Sequence, residues 1–78
     1  MHTITWSNGS RDTARTWQAL LDRIRRAQWI EMEEDEFRAE MGKRAWVWSE
    51  TVIDIGASPR RFFEELERAR MIQIERSK

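Results

Sequence analysis

In the N-terminal segment, threonines alternate with the larger side chains of His, Ile and Trp, as polar and apolar positions do in a half-buried strand. Residues 2–6, His-Thr-Ile-Thr-Trp, are followed closely by Asn8 and Gly9, the dipeptide favoured in two-residue type I′ hairpin turns. This pattern predicts a β-hairpin over residues 2–14. The alternative is a single strand followed by a helix that Ser10 caps.

A two-residue turn also fixes which side chains meet across the hairpin. Trp6 would lie opposite Arg11, and Ile4 opposite Thr13, because directly opposed residues of antiparallel strands project from the same face. Alternation along the strand places Ile4 and Trp6 on one face. We therefore expect another element to cover that face.

Three later segments repeat apolar side chains at the three- and four-residue spacing of an amphipathic helix. They predict helices over residues 16–28, 34–48 and 58–70, with Thr16 and Ser58 as N-caps. The first helix is too short to be stable alone in water, so its apolar stripe must pack on another element. The three stripes are Trp17, Leu20, Leu21, Ile24 and Ala27; Phe37, Met41, Ala45 and Trp48; and Phe62, Phe63, Leu66 and Ala69.

The second helix leaves one alternative open. Gly42 lowers helix stability by about 1 kcal/mol relative to alanine, so the helix could end there and residues 45–48 could form a strand. In a helix, Trp46 and Trp48 point about 200° apart and cannot both face one core, whereas in a strand they share a face. Residues 51–55, Thr-Val-Ile-Asp-Ile, are β-branched and extended in character.

The element order predicts an α+β fold. Residues 71–75, Met-Ile-Gln-Ile-Glu, indicate a final strand. The simplest burial is a small antiparallel sheet, made by the hairpin and this last strand and covered on one face by the three helices. We expect residues 1–78 to form one small domain, with the other face of the sheet open to solvent or to a partner.

Composition argues against an enzyme. The chain has no cysteine, so a Cys–His pair is absent. A serine triad would need His2, the single histidine, at a chain end of the kind that is usually mobile. Gly9, Gly42 and Gly56 are isolated, so no phosphate-binding loop is predicted. The acids of residues 31–40 lack the spacing and glycine of a calcium loop and are better explained as the acidic first turn of a helix. We expect no catalytic residue, no metal and no cofactor.

Charge and hydropathy restrict the expected partners and cellular location. The 14 basic and 14 acidic residues cancel, so the chain as a whole does not attract nucleic acid. No apolar run is long enough to span a bilayer, and no signal-peptide pattern is present. We therefore expect a cytoplasmic protein without a membrane partner.

The C-terminal third resembles part of a known DNA-binding fold. Ser58 starts the third predicted helix, and residues 66–72 read Leu-Glu-Arg-Ala-Arg-Met-Ile. Residues 56–75 thus resemble the recognition helix and first wing strand of winged-helix proteins, in which Ser or Thr starts the helix and Leu-Glu-x-Ala-Gly-Leu-Ile leads into the wing. Arg70 replaces the family's usual glycine, and no second wing strand follows. The resemblance implies a winged-helix-like fold as the alternative architecture.

The same resemblance implies a nucleic-acid-binding regulatory protein as the alternative function. Arg60 and Arg61 at the start of the helix would contact the phosphate backbone. Against this, Glu64, Glu65 and Glu67 are expected on the outward side of the helix, where they would repel phosphate.

A second resemblance bears on biological context. Residues 4–9 (Ile-Thr-Trp-Ser-Asn-Gly), residues 20–26 (Leu-Leu-Asp-Arg-Ile-Arg-Arg) and the twelve arginines against two lysines are similar to small accessory proteins of phages that infect actinobacteria. The resemblance implies a binder or modulator directed at a host protein.

Five tryptophans are more than so small an interior is expected to hide, since each can bury roughly 200 Å². We expect Trp17 and Trp48 in the core, beside Phe37, Met41, Phe62 and Leu66. The remaining rings and the flanking arginine and carboxylate blocks are typical of protein-contact surfaces. The sequence therefore predicts a non-enzymatic protein-interaction module that binds another protein or a second copy of itself. The predicted contact residues are Trp29, Trp46, Glu33, Glu34, Arg25 and Arg26.

Overall fold

A computed structural model of the chain describes residues 1–28 and 30–76. Within these ranges the chain forms three strands and three helices, which confirms the predicted α+β fold. The strands pair in the order β2-β1-β3 as one antiparallel sheet, so the last strand joins the hairpin as expected. The elements are β1 (His2–Trp6), β2 (Arg11–Ala14), α1 (Trp17–Arg26), α2 (Glu34–Ser49), α3 (Pro59–Arg68) and β3 (Ile72–Glu75).

The predicted helix starts are confirmed, and the ends differ slightly. The Thr16 hydroxyl accepts a hydrogen bond from the Ala19 N–H at 3.0 Å and caps α1. Ser58 caps α3 in the same way. The helices α1 and α3 each end two residues earlier than predicted, and α2 runs one residue further. Such shifts are ordinary because helix ends fray.

The hairpin loop has three residues rather than two. The Gly9 N–H donates to the Trp6 carbonyl at 2.9 Å, and the Trp6 N–H donates to the Ser10 carbonyl at 2.7 Å. Gly9 has a φ of +92°, a left-handed conformation that glycine adopts at no steric cost. A three-residue loop that ends in a left-handed glycine is the bulged hairpin connection, and it replaces the expected type I′ turn.

This longer loop shifts the register by one residue. Ile4 lies opposite Asp12, and the predicted Ile4–Thr13 and Trp6–Arg11 pairs are wrong. The expectation that Ile4 and Trp6 share a covered face is nevertheless correct, because alternation along one strand does not depend on the loop. Ile4 is fully buried, and the half-buried Trp6 donates from Nε1 to the Asp12 carboxylate at 2.8 Å.

The core lies between the covered face of the sheet and the helices. Ile4 of β1 lies opposite Ile74 of β3, and Trp6 lies opposite Ile72. The helices contribute the fully or almost fully buried Leu20, Leu21, Ile24, Phe37, Met41, Ala45, Phe62, Phe63 and Leu66. The opposite face of the sheet is polar: the Thr3 and Thr13 hydroxyls are hydrogen-bonded at 3.0 Å, and Arg11 forms an ion pair with Glu75.

The structure resolves the ambiguity over residues 45–55 in favour of the helix. The helix α2 continues through Gly42 and ends at Ser49, and its C-cap residue Glu50 has a left-handed φ of 53°. The β-branched residues 51–55, all of them described, form no strand. They instead run back along α2, since the Thr51 N–H donates to the Ala45 carbonyl at 3.4 Å and Ile55 lies over Gly42.

A buried arginine holds this returning segment in place. Arg38 of α2 is only 9% exposed. Its Nη1 donates to the carbonyls of Ile55, at 2.8 Å, and Ala57. Its guanidinium lies 5.0 Å from the centre of the Phe62 ring, a favourable cation–π position. The segment between α2 and α3 is therefore fixed to both helices through one side chain.

Candidate protein-contact site

The C-terminal end of α2 exposes three consecutive apolar residues. Trp46 is 55% exposed, Val47 78% and Trp48 60%. Successive helical side chains point about 100° apart, so the three surround the end of the helix rather than form one stripe. We call Trp46, Val47 and Trp48 the indole tip. Large exposed apolar groups that lie together are typical of contact sites.

The expectation that Trp48 belongs to the core is wrong. Trp48 follows the buried Phe37 by eleven residues, about three turns, so both side chains leave α2 in nearly the same direction. The core ends at Ala45, however, and Trp48 lies beyond it beside Met71. Helical spacing gave the direction of this side chain correctly. It could not show that no other element of the core extends far enough to cover Trp48.

Trp17, the other ring expected in the core, packs at its margin. It is half-buried and lies 5.6 Å from the Phe63 ring, measured between ring centres. The His2 ring stacks on Trp17 at 4.0 Å, with 16° between the planes. His2 therefore covers an indole.

A groove opens beside the indole tip. It has a volume of about 490 Å³, within the roughly 300–1,000 Å³ range of small-molecule binding pockets. Trp48, Val47 and Met71 form its apolar side, and Lys43 and Arg44 stand at its rim. An apolar floor with charged margins is also the anatomy of a protein-contact pocket.

The rim of the groove carries a net positive charge. Glu40 lies between the two cations, with its carboxylate 3.6 Å from the Arg44 Nε and 3.9 Å from the Lys43 Nζ. Two cations thus share one carboxylate. Because exposed ion pairs contribute only about 0–1 kcal/mol, the cations remain available to a carboxylate presented by a partner.

The five predicted contact residues that the structure describes do not form one site. Trp29 lies outside the described residues, and Trp46 belongs to the indole tip. Glu33 and Arg26 are exposed; Glu33 is the N-cap residue of α2, and Arg26 lies in the last turn of α1. Trp46 follows Glu34 by twelve positions, about 18 Å of helix, which separates the acidic predicted residues from the indole tip.

The other two predicted residues make internal contacts. Arg25 is half-buried, and its Nη1 donates to the Met32 carbonyl at 2.8 Å. The Glu34 carboxylate accepts hydrogen bonds from Gln18 at 2.7 Å and from Arg38 at 3.1 Å. These contacts tie α1 to the start of α2. Val47, Trp48 and the groove were not predicted as a site, although the consecutive Trp-Val-Trp of residues 46–48 carried the signal.

The two arginines of the nucleic-acid alternative lie at the start of α3. Both are exposed, and the Arg60 Nε lies 3.7 Å from the Glu64 carboxylate. The strand that follows α3 is β3, which pairs with β1 of the N-terminal hairpin. Arg70, in the position where winged-helix proteins usually have glycine, has a left-handed φ of 64°.

Glu65 does not point outward, contrary to expectation. It is 8% exposed, and its carboxylate accepts hydrogen bonds from the Arg68 Nε at 2.9 Å and the Asp54 N–H at 3.0 Å. The hydrogen bond from Arg68, followed by that from Asp54, lowers the pKa of Glu65 despite its burial. Glu65 therefore fixes the segment before α3 rather than facing a ligand.

Glu67 is also engaged within the fold. Its carboxylate accepts hydrogen bonds from the Ile74 N–H at 2.8 Å and from both terminal nitrogens of Arg76, at 2.8 and 2.9 Å. The hydrogen bonds from Arg76 are the main cause of the lowered pKa of Glu67. The outer edge of β3 is thus occupied by a side chain of α3.

Residues 1–28 and 30–76 contain no cluster of three or more His, Cys, Asp or Glu side chains suited to a metal ion. Over the same ranges, no helix is both long and apolar enough to cross a membrane. Comparison of the chain with protein-family models, with curated proteins and with solved structures finds no match.

Proposed function

We propose that this chain is a non-enzymatic protein-interaction module that binds another protein through Trp48 and the groove beside it. The exposure of the indole tip supports this proposal most directly. Tryptophan and arginine are the residues most enriched among contact hot spots. Here Trp48, 60% exposed, stands next to Arg44 over an apolar floor that contains Met71.

The groove indicates the chemistry of its partner. An apolar side chain would fill the space between Trp48 and Met71, and a nearby carboxylate would meet Lys43 and Arg44. The partner is therefore an acidic segment with one or two apolar anchors. The resemblance of residues 4–9 and 20–26 to accessory proteins of actinobacterial phages favours a host protein as that partner. The absence of cysteine fits the reducing cytoplasm.

Nucleic-acid binding through Arg60 and Arg61 is the alternative function. Its support is the pair of exposed cations at the start of α3, and the proximity of Glu64 to Arg60 weakens that support. Retention on heparin across a salt series tests it, because phosphate contacts weaken steeply with salt. Salt-sensitive retention that Arg60→Ala and Arg61→Ala abolish would favour this alternative over protein binding.

The main proposal is tested by selecting binders from a displayed library of protein fragments from an actinobacterial host. Binders selected on the wild-type chain are purified, and their affinity is measured by calorimetry against wild type and Trp48→Ala. We expect Trp48→Ala to weaken binding about 30-fold, the equivalent of a ~2 kcal/mol hot spot.

Ile30→Ala is the matched control, because Ile30 is also a large exposed apolar residue but precedes α2. It should leave the affinity unchanged. Selection of no binder, or of binders that tolerate Trp48→Ala as well as Ile30→Ala, would overturn the proposal.

A further inference from the structure

The side of α2 that faces away from the core has a directional charge pattern. Glu36, Ala39, Lys43 and Trp46 follow one another at three- and four-residue spacing, and Glu36, Lys43 and Trp46 are exposed. We call these four residues the outward face of α2; Val47 lies at its border. Along the face the order is acidic at Glu36, small at Ala39, basic at Lys43 and aromatic at Trp46, and the exposed Glu50 follows at the C-cap.

We infer that the outward face of α2 binds the same face of a second copy of this chain, with the two helices antiparallel. A two-fold axis near the middle of α2 would bring Ala39 of one copy opposite Lys43 of the other. Glu36 would then lie opposite the second Trp46 and within one turn of the second Lys43. Every acidic end thus meets a basic and aromatic end.

The properties of the outward face favour a second, antiparallel copy of this chain as its partner. A parallel pair would place Glu36 against Glu36 and Lys43 against Lys43, which is repulsive, so the charge order selects the antiparallel arrangement. The small side chain of Ala39 at the centre permits the approach of 8–10 Å that packed helix axes require. An isologous contact also uses each residue twice, so two exposed Trp46 rings are covered by one association.

The contact is expected to be weak and reversible. One face of a 16-residue helix is about 24 Å long, which gives an interface at the low end of specific contacts, below roughly 1,200 Å². The outward face and the groove beside Trp48 share Lys43 at their common border, whereas Trp48, Arg44 and Met71 belong to the groove alone. Glu36 and Trp46 do not line the groove, so the variants of these two residues test self-association separately from the proposed function.

Sedimentation velocity over a concentration series tests the inference. The mass of the wild-type chain should rise with concentration from the 9.5 kDa of the monomer toward twice that value. Glu36→Lys alone and Lys43→Glu alone should each raise the dissociation constant at least tenfold, because each variant faces like charges across its own two-fold axis.

An equimolar mixture of these two variants is the decisive sample. Each chain now carries the charge that the other lacks, so a dimer with one copy of each should form as well as the wild-type dimer. Rescue also shows that both variants are folded. A wild-type chain that stays monomeric, single variants that dimerise normally, or a mixture that stays monomeric would overturn the inference.

Two further variants separate the faces of α2. Trp46→Ala should weaken the dimer, whereas Trp48→Ala should leave it unchanged. Arg15→Glu makes the same charge reversal as Lys43→Glu at an exposed residue between β2 and α1, and it should have no effect. A dimer that depends on Trp48 rather than Trp46 would contradict the proposed arrangement.

Discussion

Gly42→Ala tests whether the segment after α2 packs as described. In a helix interior, alanine is about 1 kcal/mol more favourable than glycine, so the substitution would stabilise an unobstructed helix. At this position, however, an added Cβ would lie 2.9 Å from the Cγ2 of Ile55. Overpacking of this kind costs about 1–3 kcal/mol. Arg38 holds the Ile55 backbone through its carbonyl, so relief of the contact requires rotation of the Ile55 side chain out of its rotamer, which also costs free energy.

We therefore expect Gly42→Ala to lower the free energy of unfolding by about 1 kcal/mol, the overpacking cost less the helix gain. Urea unfolding followed by circular dichroism measures this change. The matched experiment repeats the substitution in an Ile55→Ala background, where Cγ2 is absent. There, Gly42→Ala should raise the free energy of unfolding by about 1 kcal/mol.

The sign reversal between the two backgrounds is the diagnostic result, since a double-mutant cycle isolates the coupling of the two positions. If Gly42→Ala stabilises the chain equally with Ile55 and with Ala at position 55, the segment does not pack against α2 at Gly42. Close packing of Ile55 would then not be the reason that a glycine stands inside this helix.

Two other substitutions address charge and backbone strain. Arg70→Gly should raise the free energy of unfolding by about 0.5–1 kcal/mol, because Arg70 has a φ of 64° and glycine adopts this conformation without steric cost. Arg70→Ala should give no such gain. Equal denaturation midpoints for the two variants would show that the backbone at position 70 is not strained. Glu65→Gln should destabilise the chain by about 1.5–3 kcal/mol at neutral pH, since it weakens charged hydrogen bonds from Arg68 and Asp54. Because those bonds lower the pKa of Glu65 from its ordinary 4.5, the wild-type advantage should be complete above that pH and decline as the pH falls through the lower folded-state pKa. Urea unfolding across an acid pH series measures this decline, and a difference that stays constant would contradict it.

The elements of the fold were predictable because their signals are local. The N-caps Thr16 and Ser58, the apolar stripes and the alternation in residues 2–6 each depend on neighbours within a few positions. The hairpin register was not predictable in the same way. Gly9 follows Asn8 in both a two-residue and a three-residue loop, and only the pairing of the completed strands distinguishes them.

The features that could not be predicted from the sequence depend on distant contacts. Arg38 looks like one more charge on a polar helix, and its role appears only when the carbonyls of Ile55 and Ala57 are brought to it. Trp48 has the spacing of a core residue but lies beyond the end of the core. Periodicity reports where a side chain points, whereas burial depends on what the rest of the chain places there.

The carboxylate of Glu67 has a consequence for strand addition at the β3 edge of the sheet. A sheet edge with free N–H groups is a template on which other extended chains can add. Here the Ile74 N–H is already satisfied by Glu67, which Arg76 in turn holds through both terminal nitrogens. An incoming strand would have to displace a clamped ion pair at this border of β3. The exposed indoles of α2 are therefore accompanied by a protected edge at β3, and β2 forms the other edge of the sheet.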